Sequence, residues 1–138
     1  MRQRRAELLA RATREELDPV AEEVLAAIAE QPVVLSGPDV GMVMLQLREP
    51  VAEERFYVGE MLVTQVEVEL AGERGWCMRM GDDKRAALAA ALLDAAAEGT
   101  AREPVDALCL RVAEREARAA RTEWASIAPT EVKFEELD

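Results

Sequence analysis

Carboxylates dominate the reactive groups of this chain, and two placements among them could support chemistry. Glu67 and Glu69 stand two apart in an alternating apolar–polar run. On a strand that spacing puts both side chains on one face, and a carboxylate pair can do acid–base work when one member is buried. The plainer reading is a solvated sheet face. The second placement is Gly81-Asp82-Asp83-Lys84-Arg85. A helix starting there would offer free N–H groups and two cations to an anion such as phosphate. Asp82 and Asp83 put two negative charges at the same end, which favours capping plus surface charge. A role for Gly81, Asp82, Asp83 and Lys84 that takes shape only within a complex is the alternative.

Other chemistries lack their residues. The chain has no histidine and only two cysteines, Cys77 and Cys109. That leaves no zinc-ligand set, no Ser–His pair and no Cys–His pair. No phosphate-binding loop and no dinucleotide glycine pattern is present. We therefore assign no catalytic residue, no cofactor-binding residue and no metal ligand to the chain by itself. Cys77 falls in an apolar strand and Cys109 in a helix, which predicts buried thiols in a reducing compartment.

The 138 residues suit one domain, 1–138, and half of them are apolar. Aromatic residues make up only 4%, so the core must be built from Leu, Val, Ala and Met. A formal net charge of −11 repels phosphate backbones and anionic membranes, so neither nucleic acid nor membrane is an expected partner. Arg2, Arg4, Arg5, Arg11 and Arg14 form a basic exception, read as the solvated face of a first helix or as an arm for an acidic partner. The apolar run Leu8-Leu9-Ala10 is broken by Arg11, and no run approaches the ~18–20 apolar residues of a membrane span. A cytoplasmic location is expected.

The elements that must position these groups follow from periodicity. Arg2 to Ala12 suits a short helix. Thr13-Arg14-Glu15-Glu16 has the form of a capping box, but Pro19 would sit inside the helix it starts. Asp18 as N-cap with Pro19 at the first helical position is therefore the expected start of a second helix, whose stripe is Val20, Ala21, Val24, Leu25 and Ile28, stopped by Pro32. The run from Val33 to Met80 divides into five short strands. Gly37-Pro38-Asp39, Glu49-Pro50, Gly59-Glu60 and Ala71 to Gly75 separate them. Asp82 caps a helix with Leu88, Leu92 and Ala96 on one side, and Gly99 ends it. Glu103-Pro104 opens a last helix, reaching about Ser126, with a thin apolar stripe. The prediction is an α+β fold: an antiparallel five-stranded sheet over 33–80 with helices packed on one face. N-terminal helices occupy 1–31, C-terminal helices 82–127 and an acidic tail 129–138.

The middle third of the chain resembles the PhnG family, the small G subunit of the bacterial carbon–phosphorus lyase system. The matching parts are Glu54-Arg55-Phe56 leading to Gly59, Thr64 on a strand, Gly75-Trp76, then Gly81, Asp83 and Lys84 opening a helix. Ala87, Ala90 and Leu93-Asp94-Ala95 follow. Members often carry a histidine just inside that helix. Here the stretch reads Arg85-Ala86-Ala87, so no role resting on the histidine carries over. The resemblance implies a non-catalytic subunit required with PhnH-, PhnI- and PhnL-type partners, alongside a PhnJ-type one. Together the partners displace adenine from MgATP with a phosphonate, the ribose 1-methylphosphonate 5-triphosphate synthase step, a transferase reaction. MgATP belongs to the complex, with no cofactor bound by this chain alone.

Two regions are candidate partner surfaces. One is a hairpin tip formed by Arg55, Phe56, Tyr57, Gly59, Glu60 and Met61. The other is the final helix and tail, with Trp124, Ile127 and Phe134. Arg and aromatic side chains are frequent interface anchors. The alternative is that these aromatics complete the domain's own core. A different function for so small an acidic α+β chain would be a secretion-type chaperone holding an extended client.

Overall fold

A computed structural model describes residues 1–127. The elements in order are α1 (Arg2–Arg11), α2 (Arg14–Ala27), β1 (Val33–Arg48), β2 (Arg55–Leu70), β3 (Glu73–Met80), α3 (Lys84–Glu98) and α4 (Arg102–Ile127). The described residues form an α+β fold with an antiparallel sheet of three strands in the order β1-β2-β3.

The alternation from Thr64 to Leu70 sets the core face. Thr64, Val66, Val68 and Leu70 are buried there, with Cys77 beside Val66 on β3. Helix α3 lies across this face with its alanines inward. Ala87, Ala90, Ala91 and Ala95 have almost no exposed surface, and small side chains let helix and sheet come close. At Gly75 the approach is closest: a Cβ there would meet the Ala91 carbonyl oxygen at 2.0 Å and the Ala95 nitrogen at 2.6 Å. Leu8 and Leu9 of α1, Leu17, Val20 and Val24 of α2, and Val105, Leu108 and Val112 of α4 enclose the rest of α3. Beyond Glu116 every described residue of α4 is exposed, so its second half leaves the core.

Five strands are corrected to three. Gly37-Pro38-Asp39 does not turn the chain back. Register shifts between Val34 and Ser36 and between Ser36 and Asp39 absorb it, and β1 runs on to Arg48. Nor is Gly59-Glu60 a turn. Gly59 pairs with Leu45 and Glu60 with Met44, inside a continuous β2. The true β1–β2 tip is the loop at 49–54. There the Glu49 N–H donates to the Glu54 carbonyl at 2.9 Å, and the Glu49 carboxylate accepts from the N–H groups of Val51 (2.8 Å) and Ala52. The β2–β3 turn is shorter than the expected Ala71–Gly75 stretch: only Ala71 (φ 51°) and Gly72 (φ 82°) take the left-handed conformation of a two-residue hairpin, and Glu73, Arg74 and Gly75 already belong to β3.

Two helix starts also differ. Helix α2 begins at Arg14, capped by Thr13 rather than Asp18. The Thr13 hydroxyl accepts from the Glu16 N–H at 3.2 Å, and the Glu16 carboxylate accepts from the Thr13 N–H at 2.9 Å. This reciprocal cap, with Leu17 fully buried behind it, outweighs the hydrogen bond lost at Pro19, which sits inside the helix. The helix ends at Ala27, ahead of Pro32. For α3 the N-cap is Asp83, not Asp82: its carboxylate accepts from the Ala86 N–H at 3.0 Å.

Candidate functional site

The two acidic placements are structural or solvent-facing. Glu67 and Glu69 lie on the sheet face opposite α3. Glu67 pairs loosely with Arg74 at 3.7 Å, and neither is buried. At the start of α3 the capping carboxylate of Asp83 already occupies the position an anion would need. Its Oδ1 accepts from Ala86 and from Arg14 Nη2 at 2.9 Å. The Ala86 N–H, with Arg14 adding to it, holds the Asp83 pKa below its ordinary value. Gly81 ties this corner to the sheet. Its N–H donates to the Leu62 carbonyl and its own carbonyl accepts from the Thr64 hydroxyl, both at 2.8 Å. Lys84 is exposed.

Of the basic cluster only Arg5 is buried; Arg2, Arg4, Arg11 and Arg14 stay exposed as a solvated face would, although Arg2 and Arg14 also pair with acids on other elements. Arg5 is buried and pairs with Glu98 and, at 3.7 Å, with Asp94. Arg2 donates to Asp94 Oδ2 at 3.1 Å and to the Arg74 carbonyl at 2.6 Å. Asp94 also accepts the Trp76 N–H at 3.1 Å, so one buried carboxylate joins α1, α3 and β3. Sequence reasoning overlooked its role, although it is the only charged residue between Arg85 and Glu98. The hydrogen bond from Arg5 lowers the Glu98 pKa. Burial opposes the charge on Glu16, yet hydrogen bonds from Arg115 and Thr13 hold its pKa below the ordinary value. Cys77 and Cys109 are buried thiols, and desolvation pushes each up to about 11, far from a reactive thiolate. Among the described residues no group of three or more His, Cys, Asp or Glu could hold a metal ion.

Most of the exposed large apolar side chains among the described residues lie on the β1–β2 ribbon. Strand β3 accompanies β2 only from Val63 to Leu70, so Arg55–Leu62 and the facing part of β1 project as a two-stranded arm. Cross-strand partners share a face. One face carries Met42, Met44, Glu60, Leu62 and Tyr57. The other carries Val43, Leu45, Leu47, Met61 and Phe56, and runs on through Val63 to Met80, Met78 and Trp76 on the open side of the sheet. Met44 is 57%, Tyr57 63% and Met80 70% exposed. Both faces of the arm are thus apolar and open, whereas ordinary monomers expose such residues singly.

The structure brings Arg55, Phe56, Tyr57, Gly59, Glu60 and Met61 together on this arm, along its strand rather than at a turn. Phe56 and Tyr57 are exposed, so they do not complete the core. Trp124 (64% exposed) and Ile127 lie on the projecting half of α4 and do not join the arm. Phe134 and the acidic tail fall outside the described residues. The residues that sequence reasoning missed are those of β1, chiefly Met42, Met44, Leu45 and Leu47. The signal was there: an apolar strand lacking a clean polar face must be covered on both sides.

These features define an α+β domain that carries an open apolar β-arm. Residues 1–137 match the family described as "Phosphonate metabolism protein PhnG", and the chain belongs to that family. Its role therefore lies in phosphonate metabolism, in the carbon–phosphorus lyase system, and membership in that system implies partner proteins. Comparison with curated proteins gave no match. No helix among the described residues is long and apolar enough to cross a membrane.

Proposed function

We propose that this chain is a non-catalytic, obligate subunit of a carbon–phosphorus lyase complex. It acts in the cytoplasm with PhnH-, PhnI-, PhnJ- and PhnL-type chains. The transferase step it supports is displacement of adenine from MgATP by a phosphonate, with the reacting groups and the nucleotide held by the partners. The observation that carries this reading is the β1–β2 arm, whose Met42, Met44, Leu47, Phe56 and Tyr57 are all exposed. Burying such side chains is worth about 1.5–3 kcal/mol each, so a partner surface that covers them gains what the isolated domain forgoes. Trp124 and Ile127 on the projecting half of α4 offer a second area for the same assembly. The absence of histidine supports the non-catalytic part of the reading.

Co-expression with the four partner types tests the proposal. The chain is expected to co-purify in a hetero-oligomer, and adenine release from MgATP and methylphosphonate is expected to need it. The isolated chain is expected to release none. Turnover by the isolated chain, or undiminished turnover by the partners without it, would falsify the proposal. A homodimer holding one extended client would instead favour the secretion-chaperone alternative.

A further inference from the structure

Along the arm, β2 is hydrogen-bonded on one edge only. The Gly81 N–H to Leu62 carbonyl bond is the last rung on the β3 side, after which the chain turns away into α3. Backbone groups alternate in direction along a strand, so those of Glu60 share the outward edge of Leu62. No described element lies beside Arg55–Met61 there, since β1 occupies the opposite edge. The vacancy is in line with β3, begins where β3 ends, and is seven residues, Arg55–Met61, or roughly 23 Å long at about 3.3 Å per residue.

Two-stranded ribbons are marginal in water, and a third strand with an apolar face is what makes them persist. We infer that the arm is completed by edge-to-edge addition of one β-strand from a partner subunit, paired with Arg55–Met61 of β2 as a continuation of β3. The inference rests on the subunit reading above and adds the mode of docking and the chemistry of the occupant. Main-chain pairing would give register, and alternate side chains of the incoming strand would cover Tyr57 and Leu62 on one face and Phe56 and Met61 on the other.

The exposed area suits a protein partner, and charge selects a different chain over a second copy. The exposed parts of Met42, Met44, Leu45, Leu47, Phe56, Tyr57, Val58 and Leu62 amount to roughly 800 Å², about one partner's share of a standard interface. Residues 33–80 hold eight Asp or Glu against four Arg, within a chain of net charge −11. Pairing two copies would bring like fields together, whereas a strand flanked by Lys or Arg meets Glu53, Glu54 and Glu60 with opposite sign.

The test uses the full chain co-expressed with the partners. Glu60→Pro removes the outward N–H and places a ring on that edge, a position that edge strands tolerate. Glu60→Thr keeps the backbone donor. The proline variant is expected to weaken the complex at least tenfold and the threonine variant less than threefold, with similar melting temperatures for both isolated chains. Independently of any variant, the Glu60 amide of the wild-type chain is expected to exchange fast alone and at least a hundredfold more slowly in the complex. If that amide still exchanges fast in an assembled complex, or if Phe56→Ala and Tyr57→Ala disrupt assembly while Glu60→Pro does not, the strand-addition inference is overturned and the subunit reading stands. A homodimer of the isolated chain that Glu60→Pro abolishes overturns the choice of occupant. Failure of the wild-type chain to join any partner removes the subunit reading, and this inference with it.

Discussion

Replacing Gly75 with alanine probes the joint on which the domain is built. The new methyl would lie 2.0 Å from the Ala91 carbonyl oxygen, 2.6 Å from the Ala95 nitrogen and 2.8 Å from the Ala95 Cβ. Two of the three obstacles are helix backbone, so no rotamer change relieves them. Normal van der Waals contact needs α3 to rise by about 1 Å or more, and a gap of that size forfeits a quarter to a half of each contact's dispersion energy. Helix α3 touches β2, β3 and the three other helices, so the loss spreads through the core. The displacement also pulls Asp94 away from the Trp76 N–H. Overpacking typically costs about 1–3 kcal/mol, and rigid obstacles put this site at about 3 kcal/mol or above. For a domain of this size that is a fall in Tm of about 6–12 °C. Urea and thermal unfolding followed by circular dichroism measure it, with Gly41→Ala as the control, since nothing lies within 4 Å of a Cβ at Gly41. A Gly75→Ala chain within about 0.5 kcal/mol of wild type refutes the reasoning, because α3 would then not rest on β3.

Removing the buried carboxylate with Asp94→Ala leaves Arg2 and Arg5 short of a partner and the Trp76 N–H without an acceptor. Arg5 retains Glu98, so the expected loss is about 3 kcal/mol, at the low end for a broken buried pair, and a loss below about 1 kcal/mol in urea titrations rejects the keystone role. Acid should destabilise the domain through Glu98, Asp83 and Glu16, whose pKa values are lower folded than unfolded. The unfolded chain then takes up more protons on acidification. Their stabilisation is complete above the ordinary carboxylate range near pH 4–4.5 and disappears as pH falls through the lowered values. The urea midpoint is expected to drop between pH 5 and about pH 3, with a shallower drop in Glu98→Gln; equal slopes in the two chains contradict the assignment of Glu98.

An apolar arm is a liability in a free monomer. Open edges and exposed Met, Leu and aromatic residues invite non-specific pairing. The edge of β1 is partly guarded, since Pro38 and two register shifts interrupt its early half. The outer edge of β2 between Arg55 and Leu62 carries only Arg55 and Glu60 as charges. The proposed capture in an assembly would cover this lightly protected edge, and a net charge of −11 opposes pairing between free copies.

Local pattern was enough for several features. The alternation from Thr64 to Leu70 named the buried face correctly, and the alanine-rich run from Lys84 to Glu98 formed the helix that lies on it. The lack of histidine by itself leaves no Ser–His or Cys–His pair. Phe56 and Tyr57 were candidate partner contacts because aromatic side chains are frequent interface anchors, and both are exposed. Other features depended on residues far apart in sequence. Gly37-Pro38 and Gly59-Glu60 have the chemistry of turns, and only pairing between β1 and β2 over their whole length makes them parts of strands. Pro19 looked like a helix start until Thr13 and Glu16 closed a cap six residues earlier, held from outside by Arg115 at 3.1 Å. Arg5 read as part of a solvated face because its acids, Asp94 and Glu98, lie some ninety residues downstream. Local rules weigh what one backbone segment can do alone. Where two outcomes cost nearly the same locally, as a turn and a bulged strand do, the long-range hydrogen bonds and buried area available to only one of them decide.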